Sequence, residues 1–112
     1  MIELSMTGNL GADAVMNSIG EKKVINLNVC HSETWRNREE NKETKKYWVD
    51  CAYFSESTEL LKMLTAGTLV YVRGVPETKV HIKKDGTPVS VQYLRVSKME
   101  VLSKKNKKEE LM

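Results

Sequence analysis

Alternation with a period of two is the feature that most narrows what this chain can become. Ile25, Leu27 and Val29 interleave with Asn26 and Asn28, the pattern of a strand buried on one side and wet on the other. The run containing them extends from Lys22 to Thr34. Comparable runs cover Ile2 to Leu10, closed by Gly8 and Gly11, then Tyr47 to Phe54, Thr68 to Lys79 and Val89 to Leu102. In the last run the apolar phase moves from Val89/Val91 to Leu94/Val96, which predicts a bulge near Gln92-Tyr93. Between the second and third runs, Arg36 to Lys46 carries no apolar side chain and reads as a solvated loop or hairpin tip. Lys83-Lys84-Asp85-Gly86-Thr87 contains Asp-Gly, a hairpin signal. One segment alone has helical spacing. Leu60, Leu61 and Leu64 form an apolar face over Ser57 to Ala66, with Ser55 or Ser57 as cap, Glu56 and Glu59 at the positive end and Gly67 closing it. A helix this short is marginal alone, so it must pack on the sheet.

Five strands with one short helix between the third and fourth is the order of an OB-fold, a five-stranded Greek-key barrel. The chain is expected to be all-β, and closure into a barrel removes the free edges that five strands would otherwise expose. With 112 residues one domain is the default, able to bury roughly 65% of its unfolded surface. Residues 1–102 are expected to form it. Residues 103–112, where four lysines meet two glutamates and apolar residues almost stop, read as a basic disordered tail. The net charge of +3 is mild, and without that segment the body is nearly balanced. No apolar stretch approaches the ~20 residues of a membrane span. The start Met1-Ile2-Glu3-Leu4 lacks the pattern of a secretory signal, so a cytoplasmic location is expected. Cys30 and Cys51 then read as reduced thiols. They lack the paired spacing of a zinc site, and neither His31 nor His81 has a nucleophile nearby in sequence. No metal, cofactor or catalysis is expected.

The third run holds the least ordinary side chains. Its even positions are Trp48, Asp50, Ala52 and Phe54. A lone carboxylate is costly to bury, so this face is expected to be wet although it carries two large rings. Exposed rings on a strand suit nucleobases, each of which offers a π-face. The same rings also suit a core or a subunit interface. In the fourth run Tyr71, Arg73, Val75, Glu77, Lys79, His81 and Lys83 share one phase if Pro76 keeps register. Arg73, Lys79, Lys83 and Lys84 are candidates to neutralise phosphates, and the plain alternative is a solvated hairpin face. Trp35, beside Arg36 and Arg38, is arranged for stacking and phosphate contact. Its odd phase also matches a plug for the barrel end.

With those residues in place, the chain resembles the bacterial single-stranded DNA-binding protein family over about residues 4–102. Gly8-Asn9-Leu10-Gly11-Ala12-Asp13 resembles the family's opening Gly-x-Leu-x-x-Asp. Val24 to Val29 leading to Ser32-Glu33-Thr34-Trp35-Arg36 is similar to its second strand and the stacking tryptophan after it. Tyr47 to Phe54 resembles its third strand. Leu60-x-x-x-Leu64-x-x-Gly67-x-x-Val70-Tyr71-Val72-x-Gly74 resembles the helix and the strand after it. The resemblance implies base stacking at Trp35, Trp48, Phe54 and His81, and phosphate contacts at or near Arg36, Arg38, Arg73 and Lys79. It also implies a homo-oligomer, a tetramer ahead of a dimer, that binds single-stranded DNA largely independently of sequence in replication, recombination and repair.

The departures from the family pattern are specific. Trp48-Val49-Asp50 stands where Trp-His-Arg is common, Phe54-Ser55-Glu56 where Phe-Gly-Lys is common, and His81 where a tryptophan is common. Exchanging cations for acids weakens the phosphate contribution and flattens salt dependence. The long linker with an acidic, Phe-ended tip is absent, so partners recruited through such a tip are not expected. Two other readings compete: a dimeric primosome-type accessory barrel, and a structural oligomerisation barrel whose rings are buried between subunits.

Overall fold

The computed structural model describes residues 2–103. Its elements, in chain order, are β1 (Leu4–Leu10), β2 (Val15–Ile19), β3 (Lys22–Arg36), β4 (Lys42–Phe54), α1 (Thr58–Met63), β5 (Leu69–Ile82) and β6 (Pro88–Ser103). The basic segment expected as a tail lies, from residue 104 on, outside the described residues. The sheet order β1-β5-β6-β4-β3-β2 closes on itself through a β1–β3 pairing. β4 and β6 run parallel, with Asp50 beside Tyr93, Cys51 beside Leu94 and Ala52 beside Arg95.

Six strands replace the expected five. The addition is β2, a short strand paired with β3 from Val15↔Asn26 to Ile19↔Lys22. It has little alternation to reveal it, since all but Met16 are exposed. The signal that could have marked it is Gly20, which takes φ 62° in the turn before β3. The polar stretch expected as a loop is mostly strand. β3 and β4 stay in register from Val24↔Phe54 to Arg36↔Lys42. Only residues 37–41 form the tip, where Asn37 Oδ1 accepts from the backbone of Glu39 and Asn41.

The bulge sits elsewhere than expected. β5 and β6 pair without interruption from Ile82↔Pro88 to Gly74↔Val96, so Gln92-Tyr93 is regular. Two residues are extra: Leu102, between Leu69↔Ser103 and Val70↔Val101, and Ser97, between Arg73↔Lys98 and Gly74↔Val96, whose hydroxyl donates to the Arg73 carbonyl at 3.1 Å. Gly74 is required there, because a Cβ on it would run into the Arg95 carbonyl. The phase change at Tyr93/Leu94 has another cause. Residues 88–93 belong to an arm that projects past the barrel, and from Leu94 the opposite side of the same pleat meets the core.

That core gathers odd positions of β3 and β4 with even positions of β5. Ile25, Val29, Val70, Val72, Leu64 and Leu94 are completely buried. Each such side chain contributes about 1.5–3 kcal/mol relative to exposure. The helix is anchored as its sequence predicts. The Ser57 hydroxyl accepts from the Leu60 amide, while Leu60 and Leu61 pack on the core. Asp13 accepts from the Ala66 amide at 2.8 Å, so this acid ties β1's exit to the loop after the helix.

Candidate nucleic-acid interface

Partners in a sheet ladder point to the same side of the pleat, so register assigns each candidate to a face. Across β3, β4, β6 and β5 the outer face carries Asn28, Asp50, Tyr93 and Glu77 in one row. Cys30 and Trp48 pair on the same face, and so do Lys79 with Val91 and His81 with Val89. Toward the other end come Phe54 and, beyond the bulge, Arg73 with Lys98 and Tyr71 with Glu100. The fold therefore gathers Trp48, Phe54, Tyr71, Arg73, Lys79 and His81 on one continuous surface. Pro76 does not break the phase.

The two rings that β4 places on this face are open to solvent, with Trp48 51% and Phe54 47% exposed. Asp50 beside them is exposed as expected, while Ala52 is buried. Gly11 makes room for the indole. A Cβ on Gly11 would come within 2.7 Å of Trp48 Cζ3, which ties the opening Gly-x-Leu-x-x-Asp segment to the site. Tyr93 is a further ring on this face; in the sequence it reads only as part of a phase change. The parallel β4–β6 pairing brings it to Asp50, and no local pattern encodes that long-range contact. Lys79 Nζ lies 4.1 Å from the Tyr93 ring centre, so the cation sits against the stacking surface.

Charges on the face are mixed. Arg95 pairs with Glu77 at 2.7 Å and Lys98 with Glu100 at 3.3 Å. These exposed pairs are weak, and among the described residues Lys79 and Arg73 on this face are in no ion pair. Arg73 is half-buried, and its Nε has no hydrogen-bond partner. Asp50 accepts from Asn28 Nδ2 at 2.7 Å. Behind it, the Cys51 thiol is pushed up to about 12, by burial first and by the Asp50 charge second. It remains a protonated core side chain rather than a nucleophile.

The remaining candidates lie apart. Trp35 occupies the opposite pleat from Trp48, paired with Glu43, and shares its phase with His31, Glu33 and Tyr47. It plugs nothing: it is 43% exposed, because β3 and β4 continue beyond the barrel and no core remains to cover it. Arg36 is on the Trp48 pleat at the far end of that arm, opposite Lys42. Arg38 belongs to the arm's tip. Lys83 and Lys84 stand at the tip of the β5–β6 arm, where Asp85 Oδ1 accepts from the Thr87 amide. The two arms thus carry cations away from the ring-bearing surface. Between them, on the inner phase, lies an open apolar trough with a cavity volume of about 570 Å³, lined by Leu4, Met6, Tyr47, Val49, Pro76 and Leu94 among others.

Among the described residues no group of three or more metal-ligating side chains is found, and no helix is long and apolar enough to cross a membrane.

A closed barrel with exposed aromatic rings and cations on its outer face defines an OB-fold of the nucleic-acid-binding kind. The family comparison agrees: the model of the single-strand binding protein family matches residues 1–102, and the chain belongs to that family. It is 26% identical over 106 residues to single-stranded DNA-binding protein 1 of Xylella fastidiosa, an alignment covering 92% of this chain and 78% of that one. It is 35% identical over 79 residues to the single-stranded DNA-binding protein of Rickettsia conorii, covering 66% of this chain and 51% of that one. Among solved structures, an SSB from Plasmodium falciparum in complex with ssDNA superposes with a TM-score of 0.75 at 21% identity. That match covers 92% of this chain and 96% of the other. A small single-stranded DNA-binding protein from Streptomyces coelicolor superposes with a TM-score of 0.77 at 13% identity, covering 90% and 94%. At these identities the structural matches establish the fold. The family is one of non-catalytic binding proteins.

Proposed function

We propose that the chain binds single-stranded DNA along the outer face of β3, β4, β6 and β5, largely independently of sequence. Trp48, Phe54 and Tyr93 stack on bases, while Lys79 and Arg73 meet phosphates beside them. Arg36, Arg38, Lys83 and Lys84 extend the positive path along the arms, and Trp35, Tyr71 and His81 supply outlying rings. The observation that carries this reading is the pair Trp48 and Phe54, both about half exposed on one strand face, with Lys79 against Tyr93 on the same face. Rings left in water there have no role in the core. In the cell the reading implies work on exposed single strands during replication, recombination and repair, in the cytoplasm.

The apolar trough between the arms favours self-association, and a homotetramer gives the strand a path from one barrel to the next. A dimer fits the competing role of a primosomal accessory barrel. Two measurements test the proposal. Adding oligo-dT should quench tryptophan fluorescence, and no quench would favour a structural oligomer with its rings covered. Mass in solution should report a tetramer; a dimer would move the reading to the accessory role.

A further inference from the structure

We propose that Asp50 gives this groove a preference among bases, favouring those that present amino hydrogens, cytosine over thymine in particular. The inference rests on the binding reading above and sharpens it. Asp50 lies between Trp48 and Phe54 on the same pleat, two residues from the first and four from the second, with Asn28 and Tyr93 as its neighbours across the ladders. A groove with a cavity volume of about 370 Å³ opens at this point, lined by Asn26, Asn28, Asp50 and Tyr93 among others. Asn28 Nδ2 donates to Asp50 Oδ1 at 2.7 Å, which occupies a donor of the amide and holds the carboxylate in place. Among the described residues that amide is the only hydrogen-bond partner of the Asp50 side chain, and no cation lies within ion-pair distance of it. The middle of the ring-bearing surface therefore presents an unneutralised acceptor.

Two consequences follow from charge and geometry. The carboxylate repels phosphate, so the backbone of a bound strand keeps to the side of Lys79 and Arg73, and base edges meet Asp50. In a single strand those edges are free of pairing partners. Cytosine offers its N4 amino group, from which a carboxylate accepts well, whereas thymine places the O4 carbonyl at the same position, and its one donor, N3–H, lies between two carbonyl oxygens that repel the carboxylate. Adenine and guanine also carry amino donors, but their larger rings stack differently. The two pyrimidines isolate the edge chemistry.

The experiment is a fluorescence titration of the full chain with oligo-dC and oligo-dT of equal length, at one neutral pH and one salt concentration. It compares wild type with Asp50→Asn and, as a second variant at this exposed position, Asp50→Ala. The inherent stiffness of each oligomer is common to all three proteins, so it cancels when their dC-to-dT affinity ratios are compared. The ratio is expected to fall by roughly fivefold or more in both variants. An unchanged ratio with binding retained overturns the base preference and leaves the binding reading standing. No quench of the wild-type protein by either oligomer overturns both.

Discussion

Trp48 and Trp35 belong to the same β3–β4 ribbon and are exposed to similar degrees, for opposite reasons. Trp48 lies over the barrel itself, on the outer pleat, and the strand beneath it is anchored by Cys51 and Leu94. Trp35 lies on the inner pleat, the one that buries Ile25, Leu27 and Val29 further back along β3. It meets water only because its strand outruns the core. The first ring is held by packing on Gly11 and neighbouring strands. The second rides on a two-stranded arm, and such ribbons are marginally stable by themselves. Exposure alone thus does not make the two tryptophans equivalent as stacking platforms.

Substitutions on either side of one pleat test this distinction. Leu94→Ala, on the inner side and completely buried, should lower stability by about 2–5 kcal/mol in denaturant unfolding. Its neighbour Tyr93, on the outer side, should tolerate alanine with far less effect on stability. Equal losses would mean that the outer face is packed rather than open. Trp48→Ala and Phe54→Ala should each weaken oligo-dT binding by about 1–3 kcal/mol while the melting temperature changes little. Unchanged titrations in both variants would remove the outer face as the binding surface. Trp35→Ala should weaken binding by about 1 kcal/mol or less, the low end for a stacked ring. A loss as large as that of Trp48→Ala would show that the arm closes on the strand and erase the contrast.

A separate effect, on stability rather than binding, is a pH dependence at the base of the outer face. Cys51 keeps its proton in the fold up to about 12, against 9.0 for an ordinary thiol. Between those values the unfolded chain binds fewer protons than the native one, so stability falls as pH rises through the window. The contribution is intact below pH 9. Cys51→Ala should lose less stability than wild type between a buffer below pH 9 and one midway to pH 12. Parallel losses in the two proteins would show that Cys51 does not contribute.

Much of this contrast is legible in the residues. Asp50 on the even phase of β4 signals a wet face, and Trp48 and Phe54 follow it there. Ser57, the leucines after it and the Asp85-Gly86 turn place the helix and the second arm. The misses share a physical cause. β2 pairs along one exposed edge, so burial imposes little alternation on its sequence. The phase change in β6 is a strand passing from arm into barrel, which in the sequence is indistinguishable from a bulge. The bulge at Ser97 is specified by the close approach of Gly74 to the Arg95 backbone, a contact between distant segments.

The sequence by itself determined the elements and which side of each strand seeks water, because alternation and turn chemistry are local. Only the tertiary structure decided which wet sides join into one surface. Tyr93 reaches Asp50 through a parallel pairing that spans the helix and β5, and Trp35 is left outside because β3 is longer than the core that could cover it. Ladder register and the extent of the core are set by packing across the whole barrel, and no short window of residues contains them.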